Sequence, residues 1–163
     1  MVNKIIIFGN SGSGKSTLAN RLKQQQNLAH LDLDTLAWEA TNPPVRRPQE
    51  ASVKDIQAFI MQHPKWIIEG CYTDLLNLIA PLAELAVFMN LPVAMCQANA
   101  RKRPWEPHKY VSQEAQDENL PMLLNWIAEY DQRTDEFSLQ AHKKLFESFH
   151  GDKIRHRENP ASG

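Results

Sequence analysis

Gly9-Asn10-Ser11-Gly12-Ser13-Gly14-Lys15-Ser16 satisfies the spacing G-x-x-x-x-G-K-[ST], which is built to hold phosphate. Its glycines let successive backbone N–H groups turn inward around an anion, because no Cβ blocks the approach. A helix beginning at the end of the loop adds the positive end of its dipole. Lys15 is placed to reach the β- and γ-phosphates, and the Ser16 hydroxyl to ligate Mg²⁺. The binding segment then runs from Gly9 to Thr17. A ligand-free glycine turn is the bland alternative, but the apolar strand before the loop and the helix after it are the context that phosphate binding requires. The chain has no Asn-Lys-x-Asp segment to select guanine, so ATP with Mg²⁺ is the expected nucleotide.

Phosphoryl transfer also needs acids for metal and acceptor, and cations for the transferring phosphate. In parallel sheets such groups collect beyond the carboxyl ends of the strands. Asp32 and Asp34 stand at the end of the second predicted strand. If that strand continues, their i, i+2 spacing puts both carboxylates on one side. Asp32 is then a candidate to hold Mg²⁺ through water, and Asp34 to take the proton of an acceptor hydroxyl. The alternative is a strand-end Asp capping the turn that starts near Thr35. Glu69 ends the third strand and is a candidate for metal or acceptor contact, or else for pairing with a surface cation. Asn90 stands where the fourth strand would offer a metal-orienting acid, so acidic roles fall on Asp32, Asp34 and Glu69.

Arg101 and Arg103 precede a flap containing His108 and Lys109. In a lid such cations close over phosphates and exclude water; a solvated basic helix end is the competing reading. Arg46, Arg47 and Arg133 are weaker candidates for an anionic acceptor or the γ-phosphate. His142 faces the apolar stripe of the last helix and reads as structural.

The elements that position these residues follow from periodicity. Ile5-Ile6-Ile7-Phe8 is a continuous apolar run ended by Gly9, the pattern of a strand buried on both faces. A helix with Leu18 and Leu22 follows, then a second strand from Ala29 to Leu33. Thr41-Asn42-Pro43-Pro44 breaks the chain before Pro48 opens a helix with Val53, Ile56, Phe59 and Ile60 on one stripe. Trp66-Ile67-Ile68 is a third strand, and Thr73 can cap a short helix through Ile79. Leu85 to Met89 is a fourth strand, followed by a helix toward Arg103 and a loop or flap from Arg101 to Gln113. Leu120 to Tyr130 has helical spacing. Ser138 can cap a last helix that Gly151 stops, Lys153 to Arg157 can form a fifth strand, and Glu158 to Gly163 reads as a frayed tail. Strands alternating with helices indicate βαβ crossovers and one three-layer α/β/α domain over 1–163.

At 163 residues, 42% hydrophobic and 23% charged, the chain can bury a full core. A net charge of -1 gives no reason to expect nucleic-acid or membrane binding. Cys71 and Cys96 lack metal-ligand spacing, and the apolar start is too short for a signal peptide, so a cytoplasmic protein is expected. Whether the chain is a monomer or a homodimer stays open.

With these residues placed, the chain resembles the small P-loop kinases of the nucleoside-monophosphate kinase and shikimate kinase type. The likeness rests on the phosphate loop, the Asp32-Leu33-Asp34 segment and the order of elements. It is closer still to a bacterial family variously labelled adenylate-kinase-like, shikimate-kinase-like or topology-modulation-like, through Leu33-Asp34-x-Leu-x-Trp38, Trp66-Ile-Ile-Glu-Gly-Cys-Tyr72 and Arg103-Pro-Trp-Glu-Pro-His-Lys-Tyr110. The resemblance implies a P-loop NTPase fold with a five-stranded parallel sheet. It also implies an acceptor region over about 36–62 and a helical lid over about 101–120. Shikimate kinases use an Asp-x-Asp pair for metal and acceptor, which falls on Asp32 and Asp34. The expected activity is transfer of the γ-phosphate of Mg-ATP to a hydroxyl or phosphate acceptor. The arginine and glycine pattern for shikimate and the acceptor motifs of adenylate kinase are absent, so a nucleotide-dependent regulatory module without an acceptor is the alternative. Direct DNA binding is opposed by the near-neutral charge.

Overall fold

The computed structural model of the chain describes residues 2–41 and 44–160. Five parallel strands form one sheet in the order β2-β3-β1-β4-β5. They are β1 (Lys4–Gly9), β2 (Ala29–Asp32), β3 (Trp66–Gly70), β4 (Leu85–Met89) and β5 (Asp152–His156). The helices are α1 (Lys15–Gln26), α2 (Gln49–Gln62), α3 (Thr73–Ile79), α4 (Val93–Lys102), α5 (Gln113–Ala128) and α6 (Leu139–Ser148). The three-layer α/β/α expectation holds.

The run Ile5-Ile6-Ile7-Phe8 shows why the layers form. Side chains alternate across a strand, so Ile6 and Phe8 enter one core with Ile56 of α2, Leu75 and Leu76 of α3 and Leu145 of α6. Ile5 and Ile7 enter the other, with Leu18 of α1, Cys96 of α4 and Ile127 of α5. β1 lies between β3 and β4, and the chain leaves it toward β2 on one side and reaches β4 on the other. That reversal opens a crevice beyond its carboxyl end, where the phosphate loop begins.

Several local expectations are corrected. The second strand stops at Asp32, because Asp32 Oδ1 accepts the backbone N–H of Asp34 at 3.0 Å and caps a 3-10 turn over Leu33–Thr35. The helix expected from Leu120 starts at Gln113, where Ser112 Oγ accepts the N–H of Ala115. It runs through Pro121, with Leu120, Leu123 and Leu124 packed against the second core. Thr73 does not cap α3: it is the first helical residue and its hydroxyl donates to the Glu136 carbonyl. Gly151 does not stop α6, which ends at Ser148. A Cβ on Gly151 would lie 2.7 Å from the Glu84 carbonyl oxygen, so the glycine serves close backbone approach instead. Asn159 is tied to Asn99 by reciprocal amide bonds of 2.9 and 3.2 Å, so the tail is held at least that far. Asn42 and Pro43 of the expected break, and 161–163 of the tail, lie outside the described residues. Among the described residues no helix is long and apolar enough to cross a membrane.

Candidate functional site

The phosphate loop joins the end of β1 to the first turn of α1. Gly12 has φ +76, and a Cβ there would be driven into the Cys96 carbonyl oxygen, so the loop packs on α4 only because the residue is glycine. The helix cap is Gly14, in the left-handed region, with no side chain bonded to the first-turn N–H groups and no acid in that turn. Those donors therefore remain available to an anion. Lys15 Nζ lies back across the loop, donating to the Asn10 carbonyl at 2.8 Å. The Ser13 hydroxyl is fully buried in the loop without a partner. Free N–H groups at the start of a helix fit an anionic ligand.

A cavity of about 790 Å³ opens over this loop. Ser11, Gly12, Gly14, Lys15, Ser16 and Thr17 line it from the loop, and Asp32, Asp34 and Glu69 line it from the strand edges; the Lys15 charge is near enough to help lower Asp34. Gly9, Asn10 and Ser13 stand behind the lining: Gly9 closes β1, and Asn10 Nδ2 donates to the Ile127 carbonyl at 3.2 Å.

The two aspartates converge by a different route from the one their spacing suggests. The 3-10 turn, not a continued strand, carries Asp34, and both acids meet Lys109 from across the cavity. Lys109 Nζ lies 2.9 Å from Asp34 Oδ2, 3.5 Å from Asp32 Oδ2 and 3.3 Å from Glu106 Oε2. Tyr72, which is 2% exposed, donates its hydroxyl to Asp34 Oδ1 and accepts from Trp38 Nε1 at 2.8 Å. Asp34 keeps 39% of its side chain open.

The electrostatics separate the two acids. Burial raises the Asp32 carboxyl to about 6, and the charges of Glu69 and Asp34 add to it against the pull of Lys109. Burial also works against the charge of Asp34, but Lys109 and the Tyr72 hydroxyl outweigh it and hold that carboxyl below its ordinary value. Burial would lower Lys109; the charges of Asp34 and Asp32 raise it instead. Burial and the nearby Cys71 and Asp34 push the Tyr72 phenol far up, so it stays a donor. Glu69 is 2% exposed and pairs with His30 Nε2 of the neighbouring strand at 2.8 Å, rather than with a surface cation.

Three candidate cations lie elsewhere. Arg47 binds the Leu36 carbonyl and Asp55, both at 2.8 Å, and braces α2. Arg133 pairs with Glu129 at 2.9 Å and stacks 3.3 Å over the Trp126 ring. Arg101 faces a separate crevice with Asp117, Leu120 and Leu123. The cavity is instead lined by Lys102 and Arg103, with Arg103 3.2 Å from Glu106. Arg46, over the Tyr72 ring at 4.8 Å, is paired to Asp74 at 2.9 Å. His142 is fully buried, donates from Nε2 to the Cys71 carbonyl at 2.9 Å, accepts at Nδ1 from the Tyr130 hydroxyl at 2.6 Å, and is lowered to about 4 by burial. It is structural.

Sequence reasoning missed Tyr72, Glu106 and His30, and named Lys109 only as a lid cation. Tyr72 had one usable signal, its place just beyond the carboxyl edge of β3; His30, the second residue of β2, had none.

Among the described residues no group of three or more His, Cys, Asp or Glu could enclose a metal. Mg²⁺ needs no such cage, since it keeps waters and phosphate oxygens and takes one or two protein oxygens. Ser16 and Asp32, both in the cavity lining, fit that requirement.

No family model matches the chain, and no curated protein matches it. Solved structures do. A shikimate kinase from Bacteroides thetaiotaomicron has 15% identity and a TM-score of 0.50, with 90% of this chain and 98% of that chain covered. A sugar kinase from Janibacter has 11% identity and a TM-score of 0.51, with 96% and 86% covered. At such identities the likeness is one of fold: the chain has the three-layer α/β/α architecture of the P-loop kinases.

Proposed function

We propose that this chain is a small-molecule kinase that moves the γ-phosphate of Mg-ATP to an acceptor hydroxyl or phosphate. One observation carries the reading: a single cavity is lined both by an uncapped phosphate loop and by Asp32, Asp34 and Glu69. Backbone N–H groups from Gly12 to Ser16 cradle the phosphates, and Lys15 swings from the Asn10 carbonyl to the β- and γ-oxygens. Ser16 and Asp32 hold Mg²⁺, whose charge offsets the negative charge of the phosphates. Asp34, open to the cavity and held as a carboxylate, orients an acceptor hydroxyl and takes its proton. Arg103 and Lys102 face the phosphates from the lid side and exclude water. The acceptor enters between Asp34 and Glu69. The solved structures of similar fold include a shikimate kinase and a sugar kinase, which supports the reaction class and leaves the acceptor to experiment.

Screening acceptors with ADP release as readout tests this. Some acceptor should raise ADP release far above the reaction with water, and Asp34→Asn should remove the gain. If no acceptor does so, the kinase reading fails.

One feature favours a second reading, a nucleotide-dependent switch without an acceptor. Both oxygens of Asp34 are engaged, by Tyr72 and Lys109, and the residue that follows the fourth strand is Asn90 rather than an acid. On that reading ATP binds and Asp34→Asn changes no rate.

A further inference from the structure

Each aspartate of the acid cluster divides its two oxygens in the same way. On Asp32, Oδ1 is committed to the backbone N–H of Asp34 and Oδ2 faces Lys109 at 3.5 Å. On Asp34, Oδ1 is committed to Tyr72 and Oδ2 is held by Lys109 at 2.9 Å. One oxygen of each acid thus serves the fold, and the remaining oxygen of each is filled by the same ammonium.

The segment carrying that ammonium, 103–112, is braced mostly within itself and onto the start of α5. Trp105 Nε1 donates to the Tyr110 carbonyl at 3.0 Å, and the Glu106 N–H donates to Gln116 at 2.8 Å. Arg103 and Lys109 both sit on Glu106, at 3.2 and 3.3 Å. The contacts of Lys109 with Asp32 and Asp34 are the ones that reach across the cavity to the end of β2. A divalent cation seeking the free oxygens of these acids would meet a positive charge already there, and like charges at such distances repel strongly.

We propose that Lys109 is the counter-ion of these two acids: it holds segment 103–112 down on Asp32 and Asp34, and a divalent cation arriving with nucleotide displaces it. Lid release and metal entry are then one exchange, because the Asp32 oxygen facing Lys109 is the one the metal takes, and the Asp34 oxygen it leaves is freed for the acceptor. The inference rests on the reading of Asp32 as the metal-side acid, but its test needs neither ATP nor turnover.

Lys109→Met keeps the stem and removes the charge; Lys109→Arg keeps the charge. Mn²⁺ binding measured by electron paramagnetic resonance without nucleotide should tighten about fivefold or more in Lys109→Met, the range of ordinary coupling between sites, and stay near wild type in Lys109→Arg. Acrylamide quenching of Trp105, taken as the difference from the same protein carrying Trp105→Phe, should rise in Lys109→Met. It should rise equally in Asp34→Asn, which releases the latch from its other side. Circular dichroism identifies any variant that fails to fold, and either of the pair suffices for the lid readout. Unchanged or weaker Mn²⁺ binding in Lys109→Met, Mn²⁺ binding to neither protein, or unchanged Trp105 quenching overturns the proposal. Failure of the wild type to bind ATP would instead remove the kinase reading and leave the latch measurable.

Discussion

The phosphate loop and the acid cluster are built in opposite ways. The phosphate loop draws its chemistry from consecutive residues and mostly from backbone, with Gly14 capping α1 and no side chain blocking its first turn. The acid cluster draws on Asp32 at the end of β2, Asp34 in the turn after it, Glu69 on β3, Tyr72 before α3 and Lys109 before α5, residues far apart in the chain. The first site is local. The second depends on the whole sheet holding its register, and its charges work against one another: Asp32 is destabilised as an anion by burial and by Glu69, while Asp34 is stabilised by Lys109.

If that contrast is right, damage to the two sites should separate. Gly12→Val should cost the most, since the new side chain meets the Cys96 carbonyl in a left-handed backbone. ATP binding should be lost and the protein destabilised by about 3 kcal/mol or more, measured by ATP titration and urea unfolding. Asp34→Asn should leave ATP affinity within about threefold, while turnover with an acceptor falls by about 10² to 10⁴. A parallel loss of ATP affinity would mean the sites are not separate.

Asp32→Asn probes the cost of the acid cluster. Asp32 titrates at about 6 against a model-compound value of 3.8, so the folded state binds more protons than the unfolded state between those values. Wild-type stability from this group therefore falls as pH rises from about 4 to about 6, and the loss is complete above that window. Asparagine keeps the cap on Asp34 N–H and carries no charge. The variant should match wild type near pH 3.5 and be more stable by about 2 kcal/mol at pH 7.5, in urea melts across pH. A variant less stable than wild type at pH 7.5 would show that the Lys109 contact outweighs burial. The smallest effect should come from Arg133→Gln, which leaves both sites intact and should change ATP affinity and turnover by less than about twofold.

The same contrast explains what could be read from sequence. Strand β1 and the loop were legible because four apolar residues and a contiguous motif carry their own context, and the alternation of Ile5 to Phe8 assigns both cores. Asp32, Asp34 and Glu69 were legible as strand-end acids, since carboxyl edges are where parallel sheets place ligands. Their partners were not. Lys109 is 75 residues from Asp34 and Tyr72 is 38 away, and no periodicity connects them. The arginines misled because charge alone does not reveal a partner: Arg47 is taken by Asp55, and Arg133 by Glu129 and Trp126. The start of α5 was hidden by a polar run whose cap, Ser112, looked like loop.

The central claim, that the loop from Gly9 to Thr17 holds the phosphates of Mg-ATP, is tested most directly by calorimetric titration of wild type and Lys15→Ala with Mg-ATP. The account predicts saturable one-to-one binding by wild type, weakened about a hundredfold in the variant by loss of a charge-assisted contact. Absence of binding to wild type, or equal binding by the two proteins, would contradict it.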